Sequence, residues 1–125
     1  MRKKSERAKL YDQIHAVMKE IRINGYGNRC VVCGSDYVVQ LGHVIPAKAS
    51  LNTRFDLSNT FPQCRSCNGL HRTNQAPYIN WFLKEFGQEE FDDLVRRSKI
   101  IKKYNMRELR ELLEEMKELR DLSKR

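Results

Sequence analysis

Apolar side chains recur at helical spacing near both ends of the chain. In residues 5–23 they form one stripe: Leu10, Ile14, Val17, Met18 and Ile21. This spacing predicts an amphipathic helix, which we expect to stop near Asn24 and Gly25 because both residue types accept the left-handed conformation that ends helices. Residues 106–122 carry a second stripe at 3-4-3 spacing: Leu109, Leu112, Met116 and Leu119. Dense glutamate and arginine surround it, so we predict a long amphipathic helix with heptad character.

Shorter apolar segments lie between these two stripes. One follows Pro77 and predicts a helix ending at Gly87: Tyr78, Ile79, Trp81, Phe82, Leu83 and Phe86. A second short helix is predicted around Phe91, Leu94 and Val95. The β-prone residues 37–41 and the pair Val44 and Ile45 predict a short strand pair or hairpin over 37–46, closed by Pro46.

The length of 125 residues indicates one domain and argues against a large multidomain enzyme. The patterning divides this domain into the helix over 5–23, an irregular centre over 26–76 and a helical region over 77–125. Hydrophobic residues make up 40% and charged residues 32% of the chain. Because this composition leaves a limited core, we expect that something other than hydrophobic burial also stabilises the fold.

The chain shows no sign of a signal peptide or a membrane span. The basic N-terminus is followed by Lys9, Asp12 and Lys19, which interrupt any apolar region. No window approaches the ~18 apolar residues that a spanning helix needs. We therefore expect a soluble, intracellular protein, in which cysteines more often bind metals than form disulfides.

Four cysteines form two CxxC pairs, Cys30 with Cys33 and Cys64 with Cys67, separated by 30 residues. A two-residue spacer in a tight turn can direct both sulfurs to one ion, and two such pairs complete a tetrahedral zinc site. A redox pair and disulfides are the alternatives. A four-cysteine site is coordinatively closed, so we expect a structural zinc that performs no chemistry.

The segment between and after the cysteine pairs holds further polar candidates. His43 lies on the β-prone segment. Asn59 follows 16 residues later, still between the cysteine pairs, and Asn68 comes directly after the last cysteine. A lone histidine is usually an ordinary polar or core residue. A strand-loop-strand-helix passage of this size can nevertheless bring the three side chains into one cleft beside the zinc.

The order CxxC, Gly42-His43-Val44-Ile45-Pro46, Asn59, CxxC-Asn68 resembles the zinc-bearing HNH nucleases. Similarity over about residues 30–95, including Arg54-Phe55-Asp56, Pro77-Tyr78 and Gly87-Gln88-Glu89, points further to the phage lambda NinG (Rap) recombination nucleases. The resemblance implies an α+β fold, in which a small ββα-metal (HNH) core over 26–76 is flanked by helices. It also implies a phage or prophage protein in the bacterial cytoplasm, acting on branched DNA.

The resemblance implies a role for each matching residue. His43 would be the general base that takes a proton from the attacking water, since a neutral imidazole with a pKa near ~6.5 suits that task. Asn59 would orient the loop and the His43 backbone. Asn68 would bind a catalytic Mg²⁺ or Mn²⁺ that stabilises the charged transition state. The expected products carry a 5′-phosphate and a 3′-hydroxyl.

The sequence departs from the HNH pattern immediately before the base, where many HNH nucleases carry a metal ligand. Gly42 occupies that position and has no side chain. Gln40 faces the same side of a strand and could aim at the same ion, although an amide oxygen is a weaker ligand than a carboxylate. Asn74 or His71, expected on the helix after the second cysteine pair, could assist. Otherwise, the metal binds weakly or the chain is a poor nuclease.

The net charge of +8 lies mainly in the front and the centre of the chain. Residues 1–23 hold 7 basic and 3 acidic side chains, residues 24–76 hold 5 and 2, and residues 77–125 hold 12 and 11, which gives +4, +3 and +1. A basic centre poor in acids is expected where phosphates approach. The DNA-facing candidates are Arg54, Arg65, His71 and Arg72.

The two terminal stripes either pack on each other within one chain or pair between two chains. A homodimer through the terminal helices would offer two symmetric cuts to a four-way junction. The sequence therefore favours a metal-dependent HNH endonuclease for branched DNA. The alternatives are a non-catalytic zinc-bearing DNA-binding module and a general nicking HNH endonuclease.

Overall fold

The computed structural model describes residues 3–46 and 51–124. Its helices and strands are, in chain order, α1 Glu6–Tyr26, β1 Val39–His43, α2 Leu51–Arg54, a 3-10 helix Leu57–Asn59, β2 Thr60–Cys64, α3 Arg65–Leu70, α4 Ala76–Phe86, α5 Gln88–Ser98 and α6 Met106–Ser123. The chain is thus a small mixed α+β protein, as the sequence predicts. None of its described helices combines the length and apolarity that crossing a bilayer requires.

Helix α1 begins where the sequence predicts and ends later. The hydroxyl of Ser5 caps it by accepting a hydrogen bond from the Ala8 amide at 3.1 Å. The helix continues through Asn24 and Gly25 to Tyr26, one residue beyond the end predicted near Asn24 and Gly25. It ends instead at Gly27, whose φ of 83° lies in the region that glycine tolerates best.

The terminal helices pack against each other within one chain. All five predicted stripe residues of α1 are buried, and they share a core with Leu109, Leu113 and Met116 of α6. Leu113 is the buried residue in the middle of α6, where the predicted Leu112 is only half-buried, and the predicted Leu119 remains 44% exposed. Hydrogen bonds between Arg110 and Glu6 and between Asn24 and Ser123 join the two helices at opposite ends.

The predicted hairpin within residues 37–46 is wrong. Only Val39–His43 forms a strand there, and its partner is Thr60–Cys64, which runs antiparallel to it in a two-stranded sheet. Gln40 lies opposite Gln63, and His43 lies opposite Thr60. Pro46 lies beyond the end of β1 and is exposed.

The sheet lies between two apolar clusters. On one face, Leu41 packs against the core of α1 and α6. On the other face, Phe61 joins a second cluster with Val44, Tyr78, Phe82 and Leu94. Helices α4 and α5 supply the last three, which agrees with the two short apolar helices predicted after Pro77. Because both faces are covered, every residue of β2 is buried.

Candidate functional site

The four cysteines converge on one point. Their sulfur atoms all lie within 4.8 Å of one another, and the sulfurs of Cys33 and Cys64 are 3.6 Å apart. Tetrahedral zinc with Zn–S bonds of about 2.3 Å requires sulfur pairs about 3.8 Å apart. The four side chains therefore fit one structural zinc ion, as the sequence predicts.

Backbone turns hold both cysteine pairs in place. The first pair closes when the Gly34 amide donates to the Cys30 carbonyl at 2.9 Å, with Gly34 at a φ of 80°. The second pair lies where β2 becomes α3, and the Cys67 amide donates to the Cys64 sulfur. Burial acts to raise the pKa of Cys30, but backbone amides of Cys64, Cys33 and Val32 outweigh it and lower the pKa to about 7. Thiolates are the form that binds zinc, so these amides favour the ligand state.

His43 ends β1 on the face covered by α1. Its Nε2 lies 2.9 Å from the carbonyl oxygen of Arg54. A carbonyl can only accept, so Nε2 carries the proton and, in the neutral ring, Nδ1 keeps the lone pair. Burial lowers the pKa of His43, against the opposing effect of its hydrogen bond to the Arg54 carbonyl, and the nearby Arg54 guanidinium adds to the lowering. His43 is thereby held neutral, with one nitrogen free to accept a proton.

A second histidine, not singled out from the sequence, lies against the first. The ring of His15 on α1 meets the ring of His43 edge-on, with centroids 5.5 Å apart. Burial, then the neighbouring His43 and Arg54, lower the pKa of His15 to about 4. The available signal was its place beside Ile14 at the edge of the buried stripe, but such a position is ordinary for a core residue.

Asn59 is fully buried and bonds to backbone on two segments. Its Oδ1 accepts from the Ile45 amide at 2.8 Å, and its Nδ2 donates to the carbonyls of Ile45 at 2.9 Å and Thr53 at 3.1 Å. Ile45 follows the strand that carries His43, and Thr53 immediately precedes Arg54. Asn59 therefore fixes the segment that follows His43 to the segment of Arg54, whose carbonyl accepts the hydrogen bond from His43.

Asn68 and Gln40 form a pair on the opposite face of the sheet. The Asn68 Nδ2 donates to the Gln40 Oε1 at 2.9 Å, which leaves the Asn68 oxygen available. Asn68 and His43 nevertheless reach the same cleft, of about 650 Å³, at the outer edge of β1. Other residues of its lining include Leu41, His71, Arg72 and Gln75.

His71 presents an unpaired nitrogen beside this cleft. It lies just after α3, not on it, and its Nε2 donates to the Val44 carbonyl at 2.7 Å. Its Nδ1 is buried without a hydrogen-bond partner among the described residues. Asn74 lies further along the same turn, where its Oδ1 accepts from the Ala76 amide at 3.2 Å. His71 thus has a ring nitrogen with no partner among the described residues, whereas the Asn74 oxygen already accepts one hydrogen bond and Asn74 does not line the cleft.

The three predicted DNA-facing arginines occupy different settings. Arg72 is exposed and lines the cleft. Arg54 is half-buried, with its guanidinium 4.9 Å from the ring centre of Tyr11 and its Nε directed at His15. Arg65 is exposed at the start of α3. No carboxylate is among the described residues that line the cleft, so the side-chain atoms there that could bind a metal are neutral.

Fold and site together define a small α+β protein with a four-cysteine metal-binding centre and a histidine-containing cleft at the edge of its sheet. The family model described as "Bacteriophage Lambda NinG protein" matches residues 1–125. The chain therefore belongs to the NinG family, which suggests a recombination-related role in a phage. No curated protein and no solved structure matches the chain.

Proposed function

We propose that the protein is a metal-dependent HNH endonuclease that hydrolyses phosphodiester bonds in DNA. The observation that carries this proposal is the meeting of His43 and Asn68 in one cleft, with His43 held neutral and with a lone pair on Nδ1. The order of β1, β2 and α3, with the cysteine centre at the β2–α3 junction, supports a ββα-metal core.

His43 acts as the general base. Its Nδ1 takes the proton of the water that attacks phosphorus, while the Arg54 carbonyl fixes the ring through Nε2. The lowered pKa keeps this base unprotonated at neutral pH. Asn59 holds the two segments that orient the ring, so it is a positioning residue.

The amide pair and His71 provide the place for one divalent cation. The Asn68 oxygen, the Gln40 oxygen and the unpaired His71 Nδ1 are neutral donors, a set that Mn²⁺ accepts more readily than Mg²⁺ does. When bound, such a cation stabilises the negative charge that develops on the phosphate and the leaving oxygen. Zinc at the cysteines remains structural because four thiolates leave no open position.

The substrate we propose is branched DNA, in keeping with a recombination-related family. Arg72 at the cleft and Arg65 on α3 would contact phosphates, which position a backbone without reading its sequence. Two symmetric cuts in a four-way junction would require two copies of the chain. Because the stripes of α1 and α6 are used within one chain, such a homodimer would form through other surfaces of these helices, where Leu119 and Leu122 are exposed.

One observation favours a second candidate, a non-catalytic DNA-binding module. No carboxylate among the described residues lines the cleft, whereas Mg²⁺ sites usually include one or two. His43→Ala separates the two functions. If the protein is an endonuclease, the His43→Ala variant should keep its zinc and its affinity for DNA. Its cleavage rate should fall by at least ~100-fold, the usual contribution of a general base.

Cleavage is measured on a labelled four-way junction, a flap and a linear duplex of equal length, with Mg²⁺ and with Mn²⁺. Preference for the junction supports the branched substrate, and equal cleavage of the duplex indicates a general nicking enzyme. If the zinc-loaded wild type leaves all three substrates intact with both metals, the endonuclease proposal is wrong and the binding module is preferred.

A further inference from the structure

Gln63 on β2 is a buried polar side chain without a partner. It is 1% exposed, and neither its Oε1 nor its Nε2 forms a hydrogen bond with any described residue. Buried polar atoms in folded proteins are nearly always paired, and an exception commonly marks the position of an ion or a water. Gln63 is therefore placed for a ligand that the chain itself does not supply.

The amide of Gln63 fills the space that a side chain at position 42 would need. A Cβ built on Gly42 would lie 2.1 Å from the Gln63 Oε1 and 2.8 Å from its Cδ. Glycine at 42 is thus required by the neighbouring strand, since its φ is not in the region reserved for glycine. Gly42 directly precedes His43, so the Gln63 oxygen lies one residue along the strand from the proposed base, on the opposite face of the sheet.

Gln63 also shares a face of the sheet with the amide pair. It lies directly opposite Gln40 in the antiparallel register, and opposed residues project to the same side. Gln40 in turn bonds to Asn68 of α3. Three side-chain amides, from β1, β2 and α3, therefore meet on one face, and the unpaired Nδ1 of His71 lies on the segment that follows α3.

We propose that Gln63 is a ligand of the divalent cation, and that its Oε1 supplies the oxygen that Gly42 cannot. This inference rests on the proposed function, because it concerns the metal of the same site. It adds a residue from β2 to the donors from β1 and α3. The ion would then be held by neutral amide oxygens and an imidazole, of which the imidazole is the softer ligand.

The test measures binding of Mn²⁺ alone to the full-length, zinc-loaded protein, by the loss of the free-ion signal in electron paramagnetic resonance. Gln63→Leu keeps the volume and removes the polar atoms, and it should weaken Mn²⁺ binding by at least ~10-fold. Gln88→Leu on α5 makes the same chemical change at an exposed position and should leave Mn²⁺ affinity unchanged.

A swap tests the geometry directly. Gly42→Asp alone should fail to bind Mn²⁺ well, because its side chain meets Gln63. Adding Gln63→Ala removes that obstacle, and the double variant should recover wild-type affinity or better because a carboxylate binds divalent cations more strongly than an amide does.

Gln63→Glu provides a readout that does not depend on the other variants folding well. If Gln63 faces the cation, Mn²⁺ should raise the Tm of the Glu variant more than that of the wild type, because the ion neutralises a buried carboxylate. Equal Mn²⁺ affinity in wild type and Gln63→Leu, or no Mn²⁺ binding by the wild type, would overturn the assignment. If the Gln63→Leu variant still cleaves DNA and binds Mn²⁺ as the wild type does, Gln63 is not a ligand of the cation, but the proposed function stands.

Discussion

Removing the Asn59 side chain should destabilise the protein strongly, although Asn59 itself does not line the cleft. Asn59→Ala deletes three hydrogen bonds to the backbone of Ile45 and Thr53, at 2.8, 2.9 and 3.1 Å. A hydrogen bond contributes about 1 kcal/mol net, and a buried backbone group left unpaired costs more. We therefore expect the free energy of unfolding to fall by about 3 to 4 kcal/mol, out of roughly 5 to 15 kcal/mol for a typical domain.

Urea unfolding of zinc-loaded protein, followed by circular dichroism, measures this change. The midpoint should fall while the slope with denaturant stays constant, which indicates a change in stability and not in the unfolded state. Ser58→Ala, at the exposed position next to it, is the matched control and should change stability by less than about 0.5 kcal/mol. A loss below 1 kcal/mol for Asn59→Ala would refute the view that this side chain holds the two segments together.

Three further perturbations address the metal centre, the paired histidines and the helix packing. Purified protein should contain about one zinc per chain, and Cys64→Ser should lose it and unfold the centre; elemental analysis without zinc would contradict this. Lowering the pH from 7.5 to 5 should reduce the free energy of unfolding by about 2 kcal/mol through His15. Burial, His43 and Arg54 lower the pKa of His15 in the folded chain from 6.5 to about 4, against the opposing effect of Asp12. At pH 5, therefore, only the unfolded chain gains this proton. His15→Gln should lose that much less stability over the same range, and equal losses in urea unfolding would exclude it. Leu113→Ala should cost about 3 kcal/mol, and Leu119→Ala, at a 44% exposed position, under 1 kcal/mol; similar losses would contradict the observed register.

The helices could be predicted because their apolar residues lie on one side. The stripe of α1 matches its buried residues one for one. In α6 the sequence offers leucine at both 112 and 113, and spacing alone does not decide between them. Packing against α1 buries Leu113 and leaves Leu112 half-buried, so the register depends on the partner helix.

The hydrophobic pattern did not locate β2, although a second strand was expected in this passage, because β2 lacks the alternation of a half-buried strand. All five of its residues are buried, and the segment contains Pro62, which argues against a central strand. Proline is tolerated here because Pro62 needs only its carbonyl, which accepts from the Val31 amide at 2.9 Å. Without a visible partner for β1, the nearest β-prone residues looked like a local hairpin.

Only part of the candidate site could be predicted from the sequence. Cysteine spacing reports the metal centre directly, since two-residue spacers are set by the geometry of the turn. His15 and Gln63 carry no such spacing. Each acquires its setting from a residue far away in sequence, His43 and Gly42 respectively, and only the folded chain brings them together.

The packing of α1 on α6 also determines when the core around α1 can be completed during synthesis of the chain. Glu6 and Arg110 form a contact across 104 residues. Leu41 and Phe55 can join the core of α1 earlier, but the part of the stripe that faces α6 stays uncovered until α6 has been made. At about 5 to 20 residues per second, that interval lasts roughly 5 to 20 seconds. During it, the part of the α1 stripe that faces α6 remains exposed on the nascent chain.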